Sequence, residues 1–360
     1  MIDLLDRRAV RVLTTALIFV GVLFFIYRVR ETLILFLFAL LFAYLFEPVV
    51  CRLQPWVRNS RPFAILIVYI LLFFILTMTG VLLGPRIFSE GQKLGQSLPS
   101  LYERVASGNI AFLIGNKHGW SYETSSRLQV FLASHQQQIV TVISRSGAKV
   151  ASLLTNIGWI VIIPILGVFF LKDKHDFRVS LQNLVADPTK REFLSRMIVD
   201  VDTMLSQFVR AQLLLAVISG IVYTIGLSLL GVPYAFVLGA VGGLLEFIPL
   251  AGPAAAAVGI IGICFGLSYP HILWVILFLG AWRVVQDYVI SPRLLGSKVE
   301  LHPLLTIFGI LAGGEIAGVI GIYLSVPVIA TLKIIVTRWR AYSAAAMTNA
   351  EPEPVISLRR

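Results

Sequence analysis

The sequence predicts an all-α polytopic membrane protein of about eight helical segments, two of them broken or re-entrant hairpins, with an amphipathic helical region on the outer side. Three observations carry this expectation. Hydrophobic residues fill 58% of the 360 positions and charged residues only 14%, with mean hydropathy +0.87. A water-soluble domain has too little interior to hide that much apolar surface. The apolar residues fall in long runs separated by short basic stretches, so the net charge of +11 reads as topology-setting charge and not as a nucleic-acid surface. Two late apolar runs are interrupted by glycine, proline and an acid, a composition that a lipid-exposed helix does not tolerate.

Taken in order, residues 1–84 hold three spans. Arg7, Arg8 and Arg11 precede the run Val12–Tyr27, and Arg28 and Arg30 follow it with no small-residue cleavage site, which predicts an uncleaved first span. Span two is Thr32–Phe46; both are short for a bilayer that asks for ~20 residues. Arg52, Arg58 and Arg61 mark the next loop as cytoplasmic and place the N-terminus inside. Span three, Pro62–Leu83, is expected to exit at Gly84-Pro85. Residues 85–150 turn rich in Ser, Gln and Gly, with Ile87, Leu94, Leu98 and Leu101 in helical spacing, as expected for an amphipathic outer region.

Residues 151–208 hold span four, Ala151–Leu171, the mixed-charge run Lys172–Arg178 and a helix in which Phe193, Met197, Val201, Met204 and Phe208 recur every three or four residues. That helix should feed straight into span five, Val209–Leu230. Residues 209–340 form the expected transport core, with hairpins at 234–268 and 303–336 and a span His271–Ile290 between them. A polar tail, 341–360, ends the chain inside.

The first hairpin is broken at Glu246-Phe247-Ile248-Pro249-Leu250-Ala251-Gly252-Pro253. Pro249 and Pro253 supply no N–H, so a continuous helix would leave carbonyls without partners. The second interruption is expected at Gly313-Gly314-Glu315. A carboxylate at mid-membrane costs ~2.5 kcal/mol or more on insertion scales, so Glu246, Asp287 and Glu315 need partners, water or a proton. Arg283, one turn before Asp287, offers an intrahelical ion pair. Glu246 has no charged neighbour within a turn and is the leading candidate for binding a solute or cation. Arg210 reads as an interfacial anchor and Gln212 as a helix–helix hydrogen bond. Gly239/Gly243, Gly262/Gly266, Gly309/Gly313 and Gly314/Gly318 have the spacing of close helix contacts. Cys51 and Cys264 offer no disulfide framework, and no metal or cofactor motif, nucleotide-binding loop or hydrolase motif occurs.

From Phe208 to Leu332 five ordered blocks resemble the autoinducer-2 exporter family of bacterial membrane permeases. They are Phe208-Val209-Arg210-Ala211-Gln212; Leu230-Gly231-Val232-Pro233-Tyr234-Ala235; Glu246-Phe247-Ile248-Pro249 with Gly252-Pro253; Gln286-Asp287-Tyr288-Val289-Ile290 then Pro292; and Leu301-His302-Pro303-Leu304 through Gly313-Gly314, Gly318, Gly321 and Pro327. The resemblance implies an inner-membrane secondary transporter with cytoplasmic termini, assembling as a homo-oligomer, a pentamer. It implies export of an autoinducer-2-like small polar solute or, alternatively, Na+ (or Li+)/H+ exchange. By the same resemblance the moving, substrate-contacting region lies on Glu246–Pro253 and Gly313–Gly318, with Gln286 and Asp287 facing it. From a different class, a passive channel or an envelope assembly scaffold would also fit the membrane pattern.

Overall fold

The computed structural model describes residues 7–106, 121–134, 157–295 and 301–348, and among these it is helical with no strand. The helices are α1 (Arg7–Arg28), α2 (Arg30–Leu53), α3 (Arg61–Ala106), α4 (Tyr122–Ser134), α5 (Ile157–Asn183), α6 (Pro188–Leu229), α7 (Ala235–Leu245), α8 (Ala251–Gly266), α9 (Ile272–Val285), α10 (Ser291–Leu295) and α11 (Pro303–Thr348). Six stretches among the described residues are long and apolar enough to cross a membrane, and α7 and α8 are shorter apolar arms. The chain is an all-α polytopic membrane protein.

Several boundaries differ from the sequence expectation. The first two spans meet at the single residue Val29 (φ −98°, ψ 12°). Helical hydrogen bonds run into and out of it, Val29 N to Phe25 O at 2.9 Å and Leu33 N to Val29 O at 3.0 Å. One near-helical residue bends a helix but does not turn it back. Residues 11–28 of α1 consequently stand clear of the other described helices, all exposed. Helix α3 does not stop at Gly84-Pro85: it runs 46 residues, about 70 Å at 1.5 Å per residue. A proline removes one helical hydrogen bond. Beyond it the helix is held by tertiary contacts, with Ile87 and Leu94 packed near Val237 and the Glu90 carboxylate accepting from Phe236 N (3.0 Å) and Val237 N (3.3 Å) at the start of α7.

The start of the expected fourth span, 151–156, lies outside the described residues, as does most of the loop-like 107–124; within the rest, α5 carries the helix through the Lys172–Arg178 run. Helix α6 joins the amphipathic stretch to span five without a break and is capped by Asp187, whose side chain accepts from Thr189 N and Lys190 N. In α11 the break falls at Ala317 (φ −140°) and Gly318 (φ 60°), not at Gly313-Gly314-Glu315, which remain helical. The arms on either side fold back on each other. A Cβ on Gly313 would lie 2.3 Å from Gly321 O, and one on Gly309 2.1 Å from Ile329 Cδ1.

Two apolar clusters organise these helices. Leu41 and Tyr44 of α2 meet Met204, Leu205 and Phe208 of α6 and Tyr323 and Leu324 of α11. Tyr223 and Leu227 of α6 meet Ala256, Ile260 and Cys264 of α8 and Val275 and Leu279 of α9. A polar clamp ties the first of these regions to the early helices. Arg61 donates from Nη2 to both Glu47 oxygens (2.9 and 2.8 Å) and from Nε to the Leu171 carbonyl (2.7 Å). Arg61 is therefore more than a topology charge, since it joins α2, α3 and α5.

Helix α7 lies antiparallel on α6 with the two backbones almost touching. A Cβ on Gly239 would fall 2.0 Å from Thr224 Oγ1 and 2.7 Å from its main-chain nitrogen, whereas Gly262 has open space around it. Of two glycines with the same four-residue spacing, only Gly239 is at a backbone contact. Gly239→Val should therefore destabilise the protein by about 3 kcal/mol or more, since the neighbouring backbone cannot move aside, while Gly262→Val should stay within about 1 kcal/mol. Thermal unfolding of both variants in detergent checks this; equal melting temperatures would overturn the packing assignment.

Candidate functional site

The site grows from the end of α7. Its last turn closes with Ile248 N to Leu245 O at 2.9 Å, and the chain reverses through Leu250, whose φ is 63° and ψ −50°. A leucine at positive φ is held there only by its surroundings. Ala251 N reaches Pro249 O at 2.7 Å and Gly252 N reaches Ile248 O at 2.8 Å. A Cβ on Gly252 would lie 1.8 Å from Leu245 O, so α8 starts against the open end of α7 only because position 252 lacks a side chain. Pro249 sits in the break itself. Pro253, buried, is in the first turn of α8, where a missing N–H leaves no helical bond unmade.

Glu246 is placed by this break and is 2% exposed. Donors from two other helices converge on it. The Gln212 amide of α6 donates to the Glu246 main-chain carbonyl, one of the groups freed by the helix end. The Gln286 amide donates to Glu246 Oε1. Arg283 Nη1 stands 3.9 Å from the same oxygen, while Arg283 Nε is 2.8 Å from Asp287 Oδ2. The intrahelical Arg283–Asp287 pair expected from spacing is present, and it also brings a cation to Glu246. Gln286–Ile290 is a π-helical turn, a local widening often met at functional positions. Across it Gln286 is buried and Asp287 exposed.

Buried side-chain oxygens with no hydrogen-bond partner among the described residues include Glu246 Oε2 and Gln286 Oε1 at the site and Ser219 Oγ farther along α6. Ser219 lies two helical turns beyond Gln212 on the same face of α6. The sequence reading did not single it out, although the seven-residue spacing from Gln212 was visible. Such atoms are costly to leave unpaired, and all three can accept a hydrogen bond or coordinate a cation.

The remaining candidates lie elsewhere. Gly313 and Gly314 face the second arm of α11, and Glu315 is exposed near the tip of that hairpin. Arg210 donates from Nε to Ser206 O of its own helix at 2.8 Å and does not reach Glu246. The hairpins do touch beside the site: Phe247 and Tyr323 rings are 6.4 Å apart. Among the described residues no group of three His, Cys, Asp or Glu could hold a metal ion.

A sequence model described as AI-2E family transporter matches residues 13–341. Similar proteins include "Putative transport protein YueF" of Bacillus subtilis, 26% identical over 295 residues, covering 81% of this chain and 79% of that protein. "Putative permease PerM" of Escherichia coli K12 is 22% identical over 343 residues, covering 93% and 94%. "Putative transport protein YrrI" of Bacillus subtilis is 24% identical, covering 85% and 86%.

The Gln286 amide is the only direct hydrogen-bond donor to the Glu246 carboxylate among the described residues. Gln286→Leu should cost about 1–3 kcal/mol of stability by leaving a buried acceptor unpaired, and the double substitution Glu246→Leu with Gln286→Leu should recover most of it. Unfolding in detergent micelles provides the double-mutant cycle; strict additivity would refute the coupling.

Proposed function

Because the chain belongs to the AI-2E transporter family, a family of permeases and not an enzyme class, we propose that it is a secondary transporter exporting a small polar solute of the autoinducer-2 kind. The observation that carries this reading is the buried polar knot at the helix break. Glu246 is enclosed by three helices, yet Glu246 Oε2 and Gln286 Oε1 have no partner among the described residues. Buried acceptors are retained against their cost where a ligand satisfies them. Asp287, Gly313, Gly314 and Glu315 take part as the neighbouring gate and second hairpin, and the hairpins move against the early helices. The sequence carries no nucleotide-binding loop, so the energy comes from a gradient.

The same oxygens favour a second reading. A carboxylate and an amide carbonyl are hard oxygen ligands for a monovalent cation, and one carboxylate that binds either a proton or Na+ is sufficient for exchange. The proposal further places the chain in the inner membrane, termini cytoplasmic, as a homo-oligomer of five copies.

In reconstituted vesicles the wild type should release a small polyhydroxylated solute with saturating kinetics. Glu246→Gln should slow it about tenfold or more, the equivalent of one charge-assisted interaction. Solute release with proton movement under a sodium gradient, both lost in Glu246→Gln, selects exchange-coupled export. Proton movement without solute release selects the antiporter. Flux proportional to concentration and indifferent to Glu246 would reject both readings in favour of a passive channel, and normal oligomers without flux would favour a scaffold.

A further inference from the structure

A second polar–apolar feature lies away from the helix break and takes no part in the transport reading. Between α2, α5, α6 and α11 is a cleft of about 510 Å³, a volume typical of small-molecule sites. Most of its wall is apolar, from Leu40, Phe169, Phe170, Ile198 and Ile335. It is open at the side, where Phe169, within the apolar run expected to span the bilayer, is 57% exposed. Its charged rim is confined to one end, formed by Lys174 and Arg178 of α5 with Glu47, Asp173 and Asp202. That end coincides with the point where both α2 and α5 change from apolar to charged, at Phe46/Glu47 and Leu171/Lys172. Such a change marks the height of the membrane–water interface.

The rim cations have unused capacity. Lys174 Nζ is 3.9 Å from both Glu47 Oε1 and Asp202 Oδ2, too far for a hydrogen bond. Those carboxylates are already engaged, Glu47 by Arg61 and Asp202 by the Tyr44 hydroxyl. Arg178 and Asp173 form no ion pair among the described residues, and Arg178 stands four residues from Lys174 on one helix face. The cleft thus offers two cations side by side, a ring of three carboxylates and an apolar slot leading into the membrane.

We propose that this cleft is a specific site for one phospholipid with an aminoalkyl headgroup. Its phosphodiester sits on Lys174 and Arg178, its ammonium faces Asp173 and Asp202, and one acyl chain runs between α2, α5 and α6. With Glu47 held by Arg61, a purely anionic headgroup would leave Asp173 and Asp202 facing it without an added cation, whereas an ammonium supplies one. The acyl chain gains little by leaving bulk lipid, which is as apolar as the cleft, so selectivity resides in the headgroup.

The full chain in detergent is titrated with dioleoyl phosphatidylethanolamine and, separately, dioleoyl phosphatidylglycerol, and bound lipid is counted by native mass spectrometry. Phosphatidylethanolamine should saturate at one per chain. Phosphatidylglycerol should bind about tenfold more weakly, and Lys174→Gln with Arg178→Gln should weaken phosphatidylethanolamine by about the same factor. Val201→Phe, which fills the slot, should abolish saturable binding. Equal affinity for both lipids, or no effect of these substitutions on folded protein, overturns the proposal. A diazirine-tailed phosphatidylethanolamine on the wild type gives a test independent of variant folding. Label concentrated on 166–178 and 197–201 supports the site; label spread evenly over exposed helices, or a cleft shielded by a second copy of the chain, sinks it.

Discussion

The structure depends on holding a carboxylate at a helix end inside an apolar bundle. A helix that stops at depth frees carbonyls, and a buried acid adds a second polar debt at the same place. The first is met from another helix and the second in part: Gln212 satisfies the Glu246 carbonyl, Gln286 one oxygen of its carboxylate, and Arg283 supplies compensating charge while paired with Asp287; Oε2 stays unpaired among the described residues. None of these donors is adjacent to Glu246 in sequence. Positions as far apart as 212 and 286 must therefore be in register before the break can be buried, and the glycine contacts between α6 and α7 set that register.

Those contacts fix the first hairpin in two places. Its first arm is locked to α6 by backbone approach at Gly239 and Gly243, and its tip by Gly252 against Leu245. Its outer end is held differently, by the Glu90 carboxylate at the α7 N-terminus and Arg86 over the Phe236 ring at 4.0 Å. A carboxylate at a helix N-terminus is favoured by the free N–H groups there. The polar contact is remote in sequence and partly solvated, and the small apolar cluster of Leu94 and Val237 backs it.

Much of this was legible before any coordinates. Apolar runs announced the membrane class, the proline pair announced a break at 249, and a four-residue spacing announced the Arg283–Asp287 pair. What sequence could not settle was which of several equivalent signals the tertiary packing would use. Gly239 and Gly262 look alike in sequence, yet one meets a backbone and the other open space. Pro85 resembles a stop, but Glu90 and Leu94 find partners beyond it and the helix continues. Gly313-Gly314 resembles a break, but small residues there serve the contact between arms, and the reversal falls on Gly318, which takes the positive φ. Similarly, Arg61 reads as a loop charge and Lys174 as part of a mixed-charge run, because their partners Glu47 and Asp202 lie on other helices.

The second arm of α11 connects the two polar regions. Tyr323 touches Phe247 beside Glu246, Thr331 and Ile335 line the cleft, and Arg338 pairs with Asp200 of α6 at 2.6 Å. These positions span 15 residues of one helix, about 22 Å at 1.5 Å per residue. A helix transmits displacement along its axis more faithfully than a loop, since every residue is hydrogen-bonded to the turn before. Any shift of the hairpin tip that parts Phe247 from Tyr323 must be taken up either at the Arg338–Asp200 pair or by a change in the width of the cleft. The ion pair is short and partly exposed, whereas the α11 side of the cleft is lined by Thr331 and Ile335, which make no hydrogen bond to another helix among the described residues, so the cleft is the softer of the two. The contact beside Glu246 and the wall of the cleft are thus built on one continuous helix arm.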